Sequence, residues 1–212
     1  MTKVLILGAG GQIARHVIGM LAGDRTVAMT LFARHVGKLS GPAGPNAVLV
    51  KGDVLDAAVL EKAAEGQDVV YANLTGEDLD AQAKAVIAAM RKAGVKRLIF
   101  ILSLGIYDEV PGKFGAWNRS MIGEDLKPFR RAGDLIEASG LDHTIIRPAW
   151  LTDEDTVDYE LTRRGEPFKG TVVSRRSVAD LVAAIIRRPG LHIGDNLGVD
   201  KPGTDGDKPD FM

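Results

Sequence analysis

The chain has 212 residues, 45% of them hydrophobic, which suffices for one sizeable core and makes a single α/β domain spanning 1–212 the expectation. Lysine and arginine number 27 against 28 aspartates and glutamates, so no charge excess points to nucleic acid or to an anionic membrane. Cysteine is absent, which excludes disulfides, thiol catalysis and cysteine-bound metal. The amino terminus runs straight into an apolar segment without the build of a secretory leader, and no apolar run is long enough to span a bilayer. The expectation is a cytoplasmic protein with no nucleic-acid or membrane partner and with a small-molecule substrate; a homodimer or another protein partner stays open.

The chain opens on its most informative stretch. An apolar run at 4–7 enters a glycine cluster, Gly8, Gly10 and Gly11, and the helix-compatible segment Gln12–Leu21 follows at once. A buried strand, a tight turn and a helix N-terminus in that order form a phosphate-binding device, because the first helical turn offers backbone N–H groups without internal partners and the helix dipole favours negative charge there. Glycine lets a diphosphate approach the backbone where a Cβ would clash. The spacing fits G-x-x-G-x-x-[GA] through Gly8, Gly11 and Ala14, with Ala14 small enough for close helix–strand packing. Gly8, Gly10, Gly11, Gln12, Ile13 and Ala14 are thus candidates for binding a dinucleotide.

A second strand at 27–32 ends in Ala33, Arg34 and His35, and no acidic residue lies between Thr26 and Ser40. A carboxylate at this place accepts from a ribose 2′-hydroxyl, whereas an arginine suits a 2′-phosphate. Arg34, with His35 and Lys38 nearby, therefore favours NADP over NAD. Further along, Ala47–Lys51 reads as a strand leading to Gly52, Asp53 and Val54, Ala57–Ala64 as a short helix, and 68–72 as a strand ending in Asn73 and Leu74. Leu79–Ala93 reads as a long helix closed by Gly94. A strand at 96–102 runs into Ser103, residues 111–123 read as irregular, 126–139 as helix, and 143–147 as a strand stopped by Pro148.

Near-continuous apolar strands separated by helices indicate a parallel sheet covered on both faces, a Rossmann-like doubly wound arrangement. Ligands bind such sheets outside the carboxyl ends of the strands, and the Gly8 turn, Arg34, Asp53, Asn73, Ser103 and Pro148 all fall there. Beyond Pro148 the alternation lapses. Residues 153–160 are acidic and mixed, 171–173 form a short strand, Ser177 to Asp180 resemble a capping box opening a helix at 178–188, and 193–199 read as a last strand. The tail, 201–212, reads as an extended arm. Residues from about 149 to 212 are expected to form a small C-terminal extension on the substrate side.

The glycine turn, Arg34, Gly52-Asp53-Val54 and the stretch Ser139-Gly-Leu-Asp-His-Thr-Ile-Ile-Arg-Pro148 together resemble the atypical short-chain dehydrogenase/reductases, most closely their NAD(P)H-binding, NmrA-like and flavin-reductase-like branch. The similarity spans nearly the whole chain. It implies a Rossmann domain with NADP(H) lying across the strand ends, Asp53 and Val54 near the adenine, and Asn73 and Leu74 beside the middle of the cofactor. Active members of the wider superfamily use a serine after the fifth strand and a Tyr-x-x-x-Lys on the next helix. Ser103 stands at the serine position, but the following helix contains no tyrosine, and Phe129 occupies the place where the lysine often stands.

The candidate catalytic residues are Ser103, able to hydrogen-bond a substrate oxygen, and Tyr107, whose phenol is a potential proton donor. Each has a structural alternative, a turn-capping serine and a packed loop tyrosine. His143 and Arg147 read as structural. Phe114, Trp117, Phe129 and Trp150 are the aromatics available to line a pocket for a flat acceptor such as a flavin or quinone. Asp153, Glu154, Asp155 and Asp158 fit no Ca²⁺ loop and read as a solvated face, so no metal is expected. Two functions remain: an NADPH-dependent oxidoreductase, or a non-catalytic NADP(H)-sensing regulator.

Overall fold

The computed structural model describes residues 1–39 and 44–212. Its centre is an eight-stranded sheet. The strands in chain order are β1 (Thr2–Leu7), β2 (Val27–Ala33), β3 (Ala47–Lys51), β4 (Val69–Ala72), β5 (Arg97–Ile101), β6 (Asp142–Pro148), β7 (Trp150–Thr152), β8 (Glu160–Arg163), β9 (Val172–Ser174) and β10 (Asp195–Asp200). The large sheet has the order β3-β2-β1-β4-β5-β6-β10-β8, and β7 pairs with β9 in a separate parallel ribbon. Every pairing in the large sheet is parallel except the last, where β8 runs against β10.

Both faces of the sheet are buried, which is why the central strands read as unbroken apolar runs. Val4 and Ile6 of β1 face a core shared with the helices α1 (Gln12–Leu21) and α6 (Arg175–Arg187). Leu5 and Leu7 face the opposite core, built with α2 (Ala57–Ala64), α3 (Leu79–Ala93) and α5 (Leu126–Glu137). A one-residue slip of β1 would exchange the two sets. The register is Leu7 beside Phe32 of β2 and beside Ala72 of β4, so the ends of these three strands are level. Strand order reverses at β1, since β2 lies on one side and β4 on the other, and this opens a crevice above their carboxyl ends.

The amino end of the sheet is closed by one residue. Arg97 is almost fully buried, and its guanidinium donates to the carbonyls of Pro189, Leu98, Asp142 and Leu191 and to Thr144 Oγ1 at 2.6–3.1 Å. These bonds tie β5, β6 and the segment after α6 together.

Three expectations need correction. Residues 111–123, read as irregular, contain the helix α4 (Gly112–Ile122). Phe114 and Asn118, four residues apart, are its buried positions, and Gly115 lets it press on the Val110 carbonyl, which a Cβ would approach to 2.0 Å. The cap of α6 is Ser174, whose Oγ accepts from Ser177 N–H at 2.9 Å; Ser177 is fully buried inside the helix, and its hydroxyl also receives the Asp158 N–H. The tail is not an extended arm. Thr204 turns back so that its carbonyl accepts from both the N–H and the hydroxyl of Thr171, and Asp207 pairs with Lys113 of α4.

The acidic stretch is exposed to solvent, as expected, and carries surface ion pairs. Arg175 meets Asp153, Arg176 meets Asp155 and Lys201 meets Glu154. Among the described residues no cluster of three or more potential ligands is arranged for a metal, and no helix is long and apolar enough to cross a membrane.

Asp200, at the end of β10, is fully buried; one carboxyl oxygen accepts from Gly170 N–H at 2.8 Å and the other has no partner. Burial lifts this carboxyl to about 6, with Glu160 and Asp205 adding to the rise and the Gly170 bond and Lys169 opposing it. The folded state therefore binds the proton more tightly than the unfolded chain, and the resulting stabilisation is complete below about pH 4 and lost as the pH rises through about 6. Asp200→Asn, uncharged and similar in shape, is expected to remove this loss. Melting temperatures of the two proteins across that range check it: the variant should gain on the parent as pH rises, and parallel curves would disprove it.

Candidate functional site

The crevice at the reversal of strand order is a cavity of about 490 Å³. Its walls come from four strand ends: Gly8, Gly10, Gly11 and Arg15 after β1, Phe32 to His35 at the end of β2, Gly52 to Leu55 after β3, and Asn73 to Gly76 with Asp78 and Gln82 after β4. Of the expected cofactor residues, Gly8, Gly10, Gly11, Arg34, Asp53, Val54, Asn73 and Leu74 line one space. Gln12, Ile13 and Ala14 form the first turn of α1 beside it, with Ile13 and Ala14 turned into the core. Ser103 and Pro148 do not line the cavity; they sit level at the ends of β5 and β6, joined through Leu104 N–H and the Pro148 carbonyl.

The glycine turn is held tightly. The N–H groups of Gly8 and Ala9 both reach the Phe32 carbonyl, and Gly11 N–H closes on the Gly8 carbonyl at 2.9 Å. Helix α1 starts at Gly11 with no side-chain cap and no acid in its first turn, whereas α2 is capped by Asp56 and α6 by Ser174.

The three glycines have three different reasons. Gly8 has φ +70°, in the left-handed region, and a Cβ there would come within 2.2 Å of the Asn73 carbonyl. Gly11 has φ −67° and ψ 153°, open to any residue, yet a Cβ would lie 2.0 Å from Asn73 Nδ2. The space denied to a side chain at Gly11 is thus taken by Asn73, where the sequence suggested it was reserved for a diphosphate. Gly10 differs: a Cβ there would touch nothing nearer than Leu39 at 4.0 Å. Gly10 is the glycine that keeps the cleft empty.

Across the cleft, Arg34 and Asp53 face each other with 4.0 Å between Nη1 and Oδ2, both largely exposed. Asp53 Oδ1 accepts from Leu55 N–H, which fixes the carboxylate and leaves the other oxygen toward the arginine. His35 joins this wall; the side chain of Lys38 lies outside the described residues. Gly52 allows β3 to leave over the Phe32 ring, which a Cβ would strike at 2.4 Å. The β4–α3 turn is organised from below by Gln82, a buried residue donating to the Thr75 carbonyl and to Asp78 Oδ1. Arg15, Leu55, Thr75, Gly76, Asp78 and Gln82 line the site without having been read from the sequence as site residues. Glycines 52 and 76 flank residues that were singled out, but nothing local distinguishes Gln82 from a helix-surface glutamine.

Tyr107 belongs to a different constellation. Its hydroxyl accepts from Asn196 Nδ2 at 3.0 Å, Gly133 of α5 leaves room for it, and the guanidiniums of Arg130, Arg147 and Arg164 stand 4.4–5.6 Å from its ring. Burial, reinforced by Glu137, holds its phenol above the ordinary range. The buried Arg147 pairs with Glu109, whose carboxylate also accepts from Gly105 and Tyr107 N–H, so this ion pair shapes the turn that follows Ser103. His143 bonds to the Leu141 carbonyl in the chain turn before β6.

Of the four aromatics, Phe114, Trp117 and Trp150 come together. The tryptophan rings lie 4.9 Å apart, and Trp150 Nε1 donates to Asn118 Oδ1 of α4 at 2.9 Å. This half-buried pair joins α4 to β7, the short strand that follows Pro148 after β6. Phe129 lies in the core on the other face.

Comparison with known proteins agrees with this geometry. Residues 8–189 match the NAD(P)H-binding family. A Rossmann-fold NAD(P)-binding family protein from Shigella flexneri is 61% identical over the full length of both chains, with a TM-score of 0.88. A short-chain dehydrogenase/reductase from Veillonella parvula, solved in complex with NADP, is 25% identical over 99% of both chains, with a TM-score of 0.92. An uncharacterized sugar epimerase, YhfK of Bacillus subtilis (strain 168), is 31% identical over 208 residues, covering 86% of each chain. With its glycine turn, its doubly wound sheet and this match across most of its length, the chain belongs to the NAD(P)H-binding family and has the Rossmann fold of the short-chain dehydrogenase/reductases.

Proposed function

We propose that the protein binds NADP(H) in the cavity above β1 and serves as an NADPH-dependent oxidoreductase acting on a small flat acceptor of the flavin or quinone type. The observation that carries the cofactor half is the convergence of the glycine turn and Arg34 on one cleft, with Gly10 leaving it open. The uncapped mouth of α1 offers N–H donors to a diphosphate. Arg34 stands at the end of β2, where a 2′-phosphate comes within reach of its fork of donors. The Veillonella parvula relative, crystallised with NADP, supports the same choice of cofactor.

When bound, NADPH supplies a hydride; the chain supplies position and surroundings. Asp53 and Val54 line the adenosine side, and Asn73 and Leu74 the middle. The Trp117–Trp150 pair, its rings inclined at 51°, offers apolar walls after the end of β6, and Ser103, after β5, supplies a hydroxyl for an acceptor oxygen. A flat, electron-poor ring takes hydride without a dedicated acid, because solvent completes its protonation, and this suits a site lacking Tyr-x-x-x-Lys. Tyr107 packs against α5 at Gly133, on the core face opposite the tryptophan pair, which leaves Ser103 the better placed of the two candidates. The proposed setting is the cytoplasm, consistent with a chain that uses no cysteine.

The second reading is a regulator that binds NADP(H) without turnover. It is favoured by one observation: the cavity reaches the β4–α3 turn, and Ser103 and Tyr107 are not among its walls. NADPH oxidation monitored at 340 nm with a panel of flavins, quinones and aldehydes decides. Turnover with flavins or quinones and not with simple aldehydes is expected; tight NADPH binding with no turnover on any acceptor would leave the regulator.

Two substitutions test the cofactor site. Arg34→Ala is expected to weaken NADP binding by about 1–3 kcal/mol while leaving NAD nearly unchanged, measured by titration calorimetry. Equal losses would remove Arg34 from the 2′-phosphate. Gly10→Val is expected to fold with an unaltered melting temperature, since the added side chain meets only open space, and to lose both cofactors. Normal affinity in that variant would show that the diphosphate lies elsewhere.

A further inference from the structure

We infer that Asn73 is the positioning residue of the cofactor site: its side chain fills the place of the missing Gly11 Cβ and so fixes the N-terminus of α1 against which a diphosphate binds. The inference rests on the proposed NADP(H) site and adds to it a reason for the glycine.

Three contacts carry it. The Asn73 carbonyl lies where a Cβ on Gly8 would be, at 2.2 Å, and its amide nitrogen lies where one on Gly11 would be, at 2.0 Å, with Cγ at 3.3 Å. One residue thus occupies both glycine notches. Asn73 is itself fixed: its N–H donates to the Leu7 carbonyl at 3.0 Å, and its Oδ1 accepts from the hydroxyl of Tyr71, a fully buried residue of β4, at 3.4 Å. The dihedrals at Gly11 suit any amino acid, so the demand for glycine there comes from the Asn73 amide at 2.0 Å and, more weakly, from the Gly8 carbonyl at 3.2 Å. A ligand that needs several N–H groups at fixed positions loses affinity when the backbone carrying them gains freedom. Asn73 removes that freedom from the cleft wall opposite.

The dependence between the two positions makes the inference testable by a four-protein cycle of parent, Gly11→Ala, Asn73→Ala and the double variant, each measured for melting temperature and for affinity toward NADP, NAD and adenosine 2′-monophosphate. Gly11→Ala alone is expected to lower NADP and NAD affinity about tenfold or more and to lower the melting temperature, because the new methyl collides with the amide. Asn73→Ala is expected to cost both dinucleotides about three- to tenfold and to leave adenosine 2′-monophosphate, which reaches only the Arg34 side, unchanged. In the double variant the methyl enters vacated space and needs only a small shift from the Gly8 carbonyl at 3.2 Å, so alanine at position 11 should become nearly neutral.

If Gly11→Ala costs the same factor in both backgrounds, or if adenosine 2′-monophosphate weakens as much as the dinucleotides in Asn73→Ala, the inference is overturned. Should Gly11→Ala fail to fold, folding of the double variant supports the coupling and its failure refutes it. A parent protein that binds neither nicotinamide nucleotide would overturn the proposed function; the melting temperatures would still report whether Asn73 and Gly11 are coupled.

Discussion

The arrangement turns on the contact between two loops at the point where strand order reverses. The β1–α1 turn and the β4–α3 turn leave neighbouring strands at the same level, and they approach so closely that two residues of the first must lack side chains. Everything around the cleft follows from that approach. It sets where α1 begins, it leaves Gly10 facing open space, and it brings the Gln82-supported turn close enough to serve as the opposite wall. A parallel sheet with both faces covered makes the contact durable, because Leu7 and Ala72, the last residues of β1 and β4, are fully buried and cannot shift without opening a core.

The two ends of the sheet are treated differently. At the amino end, Arg97 satisfies a set of carbonyls that would otherwise be left over where β5, β6 and the post-α6 segment meet. At the carboxyl end the polar groups are left available: uncapped N–H groups on α1, a half-engaged arginine and carboxylate, and a serine at the exit of β5. The division matches the general behaviour of doubly wound sheets, whose crevices lie beyond the carboxyl ends of their strands. Buried polar pairs also shape loops, Arg147 of β6 with Glu109 after β5, and Asp200 of β10 with Gly170.

Much of this was legible from residue order. The strands through β6, and the helices before it other than α4, follow from apolar runs punctuated by glycine, and Arg34 after β2 stood out because no acid accompanies it. What local pattern could not convey was the identity of neighbours brought together by folding. Gly11 reads the same whether a ligand or an asparagine sixty-two residues away fills its notch. Gly115 looks like a breaker until the helix is seen resting on Val110. Ser177 mimics a cap, but the helix begins three residues earlier, since Ser174 has the geometry and Ser177 the depth. Tyr107, plausible as an acid by its place after Ser103, is claimed by Asn196 and three arginines from elements far along the chain. Gln82 and the short β8 strand carried too little periodicity to announce themselves.

The proposed cofactor site combines two kinds of grip. Backbone N–H groups at a helix mouth are rigid dipoles acting at contact range, whereas Arg34, 74% exposed and loosely paired with Asp53, brings a charge open to screening by solvent ions. Mobile ions dim the second far more than the first, since the Debye length contracts to about 8 Å at physiological ionic strength. Discrimination between the phosphorylated and plain nicotinamide coenzymes should therefore be sharpest in dilute buffer and blunted in brine, while the grip common to both endures.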